Sequence, residues 1–273
     1  MPRLILGTSI ALLLAGFASH VHAQAFTTSP CPTNQQDGSW SFGSSRVCEL
    51  RTATLPLING HLALSGRNGS IDVIGEDRSD IQLEAQVTAQ ASSREEAEAL
   101  ERKIEIVTGG GEIRDEGPKA FGLFHQNWSV SYRLRVPRHL AAHLHTENGS
   151  VKLAELDGAI TAETTNGSMT LTDLAGDVNA HTTNGSLHIS LQGSQWKGTG
   201  LTAHTTNGSV SVNAPSDYSA HLVAQTTNGS LRVGLPIASS QEKHSHRIDT
   251  TVGQGGATLS FATVNGSLHF DRN

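Results

Sequence analysis

Apolar and polar residues alternate along most of the chain in short runs, and the phase changes at a recurring tripeptide, Asn-Gly-Ser. The tripeptide begins at Asn68, Asn148, Asn166, Asn184, Asn207, Asn228 and Asn265. From Asn148 onward the spacings are 18, 18, 23, 21 and 37 residues. Apolar residues stand six and four positions before each Asn, as Ile160 and Ala162 do before Asn166, and three and five after it, as Met169 and Leu171 do. Two before it stands Thr in every copy except the first, which has Gly66. Period-two alternation marks half-buried strands. The switch from even to odd offsets across Asn-Gly keeps the inward face inward. Both residues tolerate the positive φ that others avoid, so the tripeptide reads as a structural turn.

Two architectures satisfy this pattern. An antiparallel β-hairpin meander would pair the strands on either side of each Asn-Gly. A parallel β-solenoid would make Asn-Gly a corner and stack equivalent residues of successive coils. A second turn signal at Leu156-Asp157-Gly158 and Leu174-Ala175-Gly176 puts two turns in each 18-residue repeat, which suits a small coil. Near-identical repeats gain most when like sits over like, because Asn and Thr then form hydrogen-bonded ladders. The expected fold class is therefore all-β, a parallel β-solenoid with one short helix, and the meander is the alternative.

Outside the tight repeats, Ile81, Leu83, Ala85 and Val87 alternate as a strand. Ser92 and Ser93 offer N-caps to a helix over Arg94–Lys103, with Glu95 and Glu96 in its first turn. A strand from Ile104 to Val107, three glycines from Gly109, and a strand through Val130, Tyr132, Leu134 and Val136 up to Pro137 follow. This combination of an early Gly-Ser strand pair, a Ser-capped Glu-rich helix, a Tyr-Arg-Leu-Arg-Val-Pro strand and tandem Thr-Thr-Asn-Gly-Ser repeats resembles the bacterial "putative adhesin" family of β-strand-repeat domains of unknown function. The resemblance covers roughly Leu55 to Phe270. It implies a solenoid-like fold and brings no catalytic residues with it.

The N-terminus reads as a secretory signal over residues 1–23: Arg3, an apolar run from Leu4 to Phe17, and small residues at Val21 and Ala23 before the expected cut. The apolar run is shorter than the roughly 20 residues of a membrane span, and no integral membrane segment is expected after cleavage. A leader over 24–54 would precede a β-repeat domain over 55–273, with tight repeats over 140–235. Cys31 and Cys48, in an exported chain, read as a disulfide. A formal net charge of −6 disfavours a nucleic-acid partner, which asks for a basic face. Aromatics make up 4%, with Trp40, Trp128 and Trp196 far apart in sequence, so a stacked sugar platform is poorly supplied.

Twelve histidines follow the signal. Three residues before the repeat Asn stand His145, Glu163, His181, His204 and Gln225, which alternation places outward as a column. His143/His145 and His244/His246 form His-x-His pairs. Imidazoles on one strand face are able to converge on zinc or copper, yet a solvated polar face asks for the same residues, and no metal or cofactor is expected. Glycosylation at Asn-Gly-Ser is set aside, because turn chemistry explains the tripeptide. Phe121, Leu123 and Phe124 lie in an expected loop, read as a cap for the open end of the solenoid or a partner contact. A solenoid glycosidase or lyase would need convergent carboxylates. Asp157, Asp173 and Asp177 fall in turns, and Lys152, Lys197 and Arg232 look isolated.

The expected function is a non-enzymatic, exported protein of the periplasm or cell surface, adhesin-like, binding an envelope protein or polysaccharide through a repetitive polar β-surface. A carbohydrate-active enzyme on the same scaffold is the alternative, and an accessory or sensor protein in envelope stress signalling is a third reading.

Overall fold

The computed structural model describes residues 26–32, 44–118, 126–234 and 246–272. The expected signal segment, Trp40, the loop bearing Phe121, Leu123 and Phe124, and His244 lie outside the described residues. Each Asn-Gly-Ser joins a strand to a shorter one, for example Asp157–Asn166 to Met169–Thr172 and Ala175–Asn184 to Leu187–Ser190. Strands before the corners all lie in one ten-stranded sheet, and strands after them in an eleven-stranded sheet. The corner thus passes the chain between two sheets and closes no hairpin. Within each sheet the coils pair in parallel: Asn166 aligns with both Asn148 and Asn184, and Ile160 with both Ala142 and Val178. This is the β-solenoid, and the antiparallel meander is ruled out.

Between the sheets lies one continuous core, built from the apolar residues flanking every corner, such as Ile160, Ala162, Met169 and Leu171. The inward threonines are buried as well, and each donates its hydroxyl to the corner glycine carbonyl of the neighbouring coil. Thr164 reaches Gly149 O at 2.9 Å, Thr182 Gly167 O at 2.8 Å and Thr205 Gly185 O at 2.7 Å. Above them the asparagine amides run in a ladder, each Nδ2 donating to the next Oδ1 at 2.8–2.9 Å from Asn148 on Asn68 through to Asn228 on Asn265.

Five of the seven corner glycines have a different cause from the expected one, while Gly69 and Gly208 do have positive φ. None of the seven asparagines has positive φ, nor do Gly149, Gly167, Gly185, Gly229 and Gly266. What excludes a side chain is proximity: a Cβ on Gly185 would overlap the Gly167 carbonyl, and one on Gly167 would overlap Gly149. Stacking, rather than turn conformation, requires glycine at these corners.

One end of the stack explains the exceptional Gly66. The neighbour here is not another Asn-Gly-Ser corner, and Val130 O takes the place of a glycine carbonyl against Gly69. Tyr132 and Asp115 fill the space beside Gly66, with the Tyr132 hydroxyl 3.2 Å from Asp115 Oδ1, and a Cβ on Gly66 would stand 3.3 Å from the same oxygen. Burial pushes the Asp115 carboxyl and the Tyr132 phenol upward. Beyond this coil the eleven-stranded sheet continues through Asn127–Pro137, Asp80–Ala91 and Ser45–Pro56. The last of these runs through position 54, so residues on either side of it share one strand. Helix Arg94–Glu101 starts at Ser93, whose hydroxyl accepts from Glu96 N–H. Arg51 fastens its far end, donating to Ile104 O at 2.6 Å and pairing with Glu49 and Glu101. Burial first, then Glu49, raises the Glu101 carboxyl. A disulfide joins Cys31 to Cys48 with Cα atoms 5.6 Å apart.

At the opposite end the coils leave sequence order. Strand Thr258–Asn265 lies between Gly200–Asn207 and Ala220–Asn228, parallel to both. The sixth corner in the chain is therefore the last in space, and antiparallel strand Arg247–Val252 borders it. Among the described residues no helix is long and apolar enough to cross a membrane.

Candidate functional site

The outward positions of the ten-stranded sheet carry the histidine column. Register places Ser65, His145, Glu163, His181 and His204 on successive coils. The inserted last coil then interposes Ala262 before Gln225, an interruption that the chain order conceals. His145 Nδ1 lies 3.7 Å from Glu163 Oε2. The rings of His181 and His204 stack with centroids 5.1 Å apart, and their Nδ1 atoms are 3.1 Å apart, the separation of an N–H···N bond between neutral rings. Partial burial and then the neighbouring His181 lower the His204 pKa, which favours that neutral form. Among the described residues no three His, Cys, Asp or Glu side chains gather as a metal site would need. Arg247 bonds Gln225 Oε1 at 3.3 Å and ties the column's end to the bordering strand.

On the side of the coils opposite Asn-Gly-Ser, a groove of about 260 Å³ opens over the second turns. It brings Asp157 and Asp173, expected in turns, together with Lys197, expected to be isolated: all three line it, with Arg138, His139, Glu155, Gln192, Gln195, Trp196 and Tyr218. Asp177 does not. Stacking of successive turns is the cause, since residues one repeat apart become neighbours. Glu155 and Asp173 adopt φ of 58° and 51° to make those turns, a conformation that is uncommon outside Gly and Asn. Arg138 pairs with Glu155, and His139 Nδ1 lies 3.0 Å from Asp157 Oδ2.

The wall of the groove comes from the one coil whose corner-to-corner spacing stretches from 18 to 23 residues. Its excursion lies across the preceding turn: Gly176 N–H donates to Lys197 O at 2.7 Å and Trp196 Nε1 to Gly176 O at 3.0 Å. Leu156, Leu174 and Leu191 form an apolar floor. Tyr218, 2% exposed, also lines the groove, and burial pushes its phenol up to about 12. The aromatics that look scattered in sequence thus include two in one place. The spacing break was the available signal, and it marks the excursion without revealing what gathers around it.

Solved structures similar to the chain include a "putative cell adhesion protein" from Clostridium sporogenes, 13% identical, with 82% of this chain and 99% of that chain covered and a TM-score of 0.41. A "putative adhesin" from Bacteroides fragilis is 11% identical over 82% of this chain and 97% of that one, at a TM-score of 0.39. A "putative lipid binding protein" from Parabacteroides distasonis is 10% identical over 82% and 96%, at 0.26. No curated protein matches the chain. The family model described as Toastrack DUF4097 matches residues 133–269, half of the chain and six of its seven Asn-Gly-Ser corners, and the chain belongs to that family.

Proposed function

We propose that the protein is an exported, non-enzymatic interaction protein of the cell envelope or surface, adhesin-like, which presents a rigid polar β-surface to a protein or polysaccharide. One observation carries this reading. The ladders use the inward threonines and the corner asparagines and glycines, whereas the outward residues of the ten-stranded sheet, His145, Glu163, His181 and His204 among them, stand in register on a parallel sheet outside those ladders. A surface displayed by a scaffold yet not required by it is free to be selected for binding. The disulfide fits an oxidising compartment, as does the signal-like N-terminus.

The gathering of Glu155, Asp157 and Asp173 in the groove favours a second reading, a carbohydrate-active enzyme. Two of those carboxylates are held in ion pairs with Arg138 and His139, which suits a binding wall better than a general acid. One experiment separates the readings: the purified mature chain is incubated with envelope fractions and a polysaccharide panel, and both retention and reducing ends are measured. Retention that drops when His145, His181 and His204 are together changed to Thr, with no reducing ends formed, supports the binding role. Turnover that disappears in a carboxylate variant overturns it.

A further inference from the structure

The groove opposite the Asn-Gly-Ser corners holds polar groups that the fold leaves unused. Glu155 and Asp157 are engaged by Arg138 and His139. The side chains of Asp173, Gln192, Gln195 and Lys197 have no protein partner among the described residues. Tyr218 borders the same groove, and among the described residues no protein group bonds its hydroxyl. No side-chain nitrogen or oxygen among the described residues is both buried and unbonded, so the Tyr218 hydroxyl is reached from the groove and is open to a ligand there.

The chemistry of that occupant follows from the lining. The free rim offers one carboxylate, one ammonium, two amides and one phenol: donors and acceptors interspersed, with the charges cancelling. The floor of Leu156, Leu174 and Leu191 is apolar. Pockets of this make-up hold a small ligand by an apolar face and fix its orientation with a few polar groups. A pyranose ring presents just such a surface, with C–H groups on its faces and hydroxyls that both donate and accept around its edge. A groove of about 260 Å³ suits a ring of that kind and excludes a helix or a strand.

We propose that this groove holds one neutral pyranose unit of a glycan, with Asp173 accepting from its hydroxyls, Lys197 and Tyr218 donating to them, and Gln192 and Gln195 doing both. The assignment deepens the binding role proposed above and rests on it: the parallel sheet contributes contact area and the groove contributes identity.

The test uses the full mature chain and calorimetric titration with neutral oligosaccharides of glucose, mannose, galactose and N-acetylglucosamine, alongside charged oligomers of galacturonate and glucosamine. Binding of at least one neutral series is expected at one site per chain, with both charged series weaker. Tyr218→Phe and Asp173→Asn should each weaken it about tenfold or more. Neither change threatens the fold, because the Tyr218 hydroxyl bonds no protein group and Asn accepts the positive φ at position 173; unchanged thermal unfolding confirms this. Neutral binding that both groove variants retain overturns the assignment, as does preference for a charged series. If envelope fractions retain the protein while no neutral oligosaccharide binds it, the groove assignment falls and the binding role stands. If neither is bound, both fall.

Discussion

The two edges of the solenoid are made by the same coils and obey different rules. Along the Asn-Gly-Ser edge every position repeats, because each atom is bonded to its own copy one coil away: amide to amide, threonine hydroxyl to glycine carbonyl, glycine against glycine. Along the opposite edge Leu156 and Leu174 recur from coil to coil, as do Gly158, Gly176 and Gly198, each against the backbone of the coil before. Other positions change freely, from Glu155 to Asp173 to Leu191, and five extra residues fit between Asn184 and Asn207 without disturbing either sheet. An edge whose atoms are each other's partners tolerates no variation. An edge fixed by buried leucines and by backbone contacts leaves its polar side chains available for other chemistry.

That contrast is breakable in graded steps. The severest is Gly185→Ala, whose Cβ would overlap the Gly167 carbonyl; a loss of about 4 kcal/mol or more is expected, read as loss of the native circular dichroism spectrum or a large drop in urea midpoint. Thr182→Val keeps the shape but leaves the Gly167 carbonyl without its hydroxyl donor, at a cost of about 1–3 kcal/mol in denaturant unfolding. Asn184→Ala removes two ladder bonds that face solvent, and about 1 kcal/mol is expected by the same measurement. If Asn184→Ala proves as damaging as Gly185→Ala, the ladder and not the close approach governs that edge.

Smaller effects test the outward face and the far edge. The His204 pKa is lowered in the fold, chiefly by burial and then by His181, while the unfolded chain titrates near 6.5. The unfolded state therefore binds the proton more readily, and stability is lost as pH falls through about 6.5 toward the folded value. The slope of stability against pH in that window should flatten in His204→Gln; an unchanged slope would place the effect in other groups. Tyr218→Phe, on the tolerant edge, should shift unfolding by less than about 0.5 kcal/mol.

Much of the fold was legible because every coil buries one face of each strand, and a buried face forces alternation. Ile160, Ala162, Met169 and Leu171 declare themselves inward by that rule alone. Corner and hairpin impose the same alternation, so the parallel pairing of Asn148, Asn166 and Asn184 became visible only in three dimensions. The reason for glycine was misread for a related cause: positive φ is a property of one residue, whereas the overlap of Gly185 with Gly167 belongs to two residues a full coil apart. The groove was concealed likewise. Its members run from Arg138 to Tyr218 in separate turns, and no local pattern shows that those turns stack. The outward column was read in chain order, where nothing indicates that Ala262 falls between His204 and Gln225.

The displaced last coil has a consequence for how the molecule is made. A chain that emerges from its N-terminus can lay down its first five coils in the order in which they appear. Strand Ala220–Asn228 then has to wait, because the neighbour that joins it to the body of the stack is Thr258–Asn265, which is synthesised after it. Closure of the stack is thus a late, long-range event, delayed until Thr258–Asn265 is threaded into place. A nascent chain shortened near its end would lose more than one coil: the sixth coil and its bordering strand would be left detached, exposing an unpaired parallel edge at Gly200–Asn207.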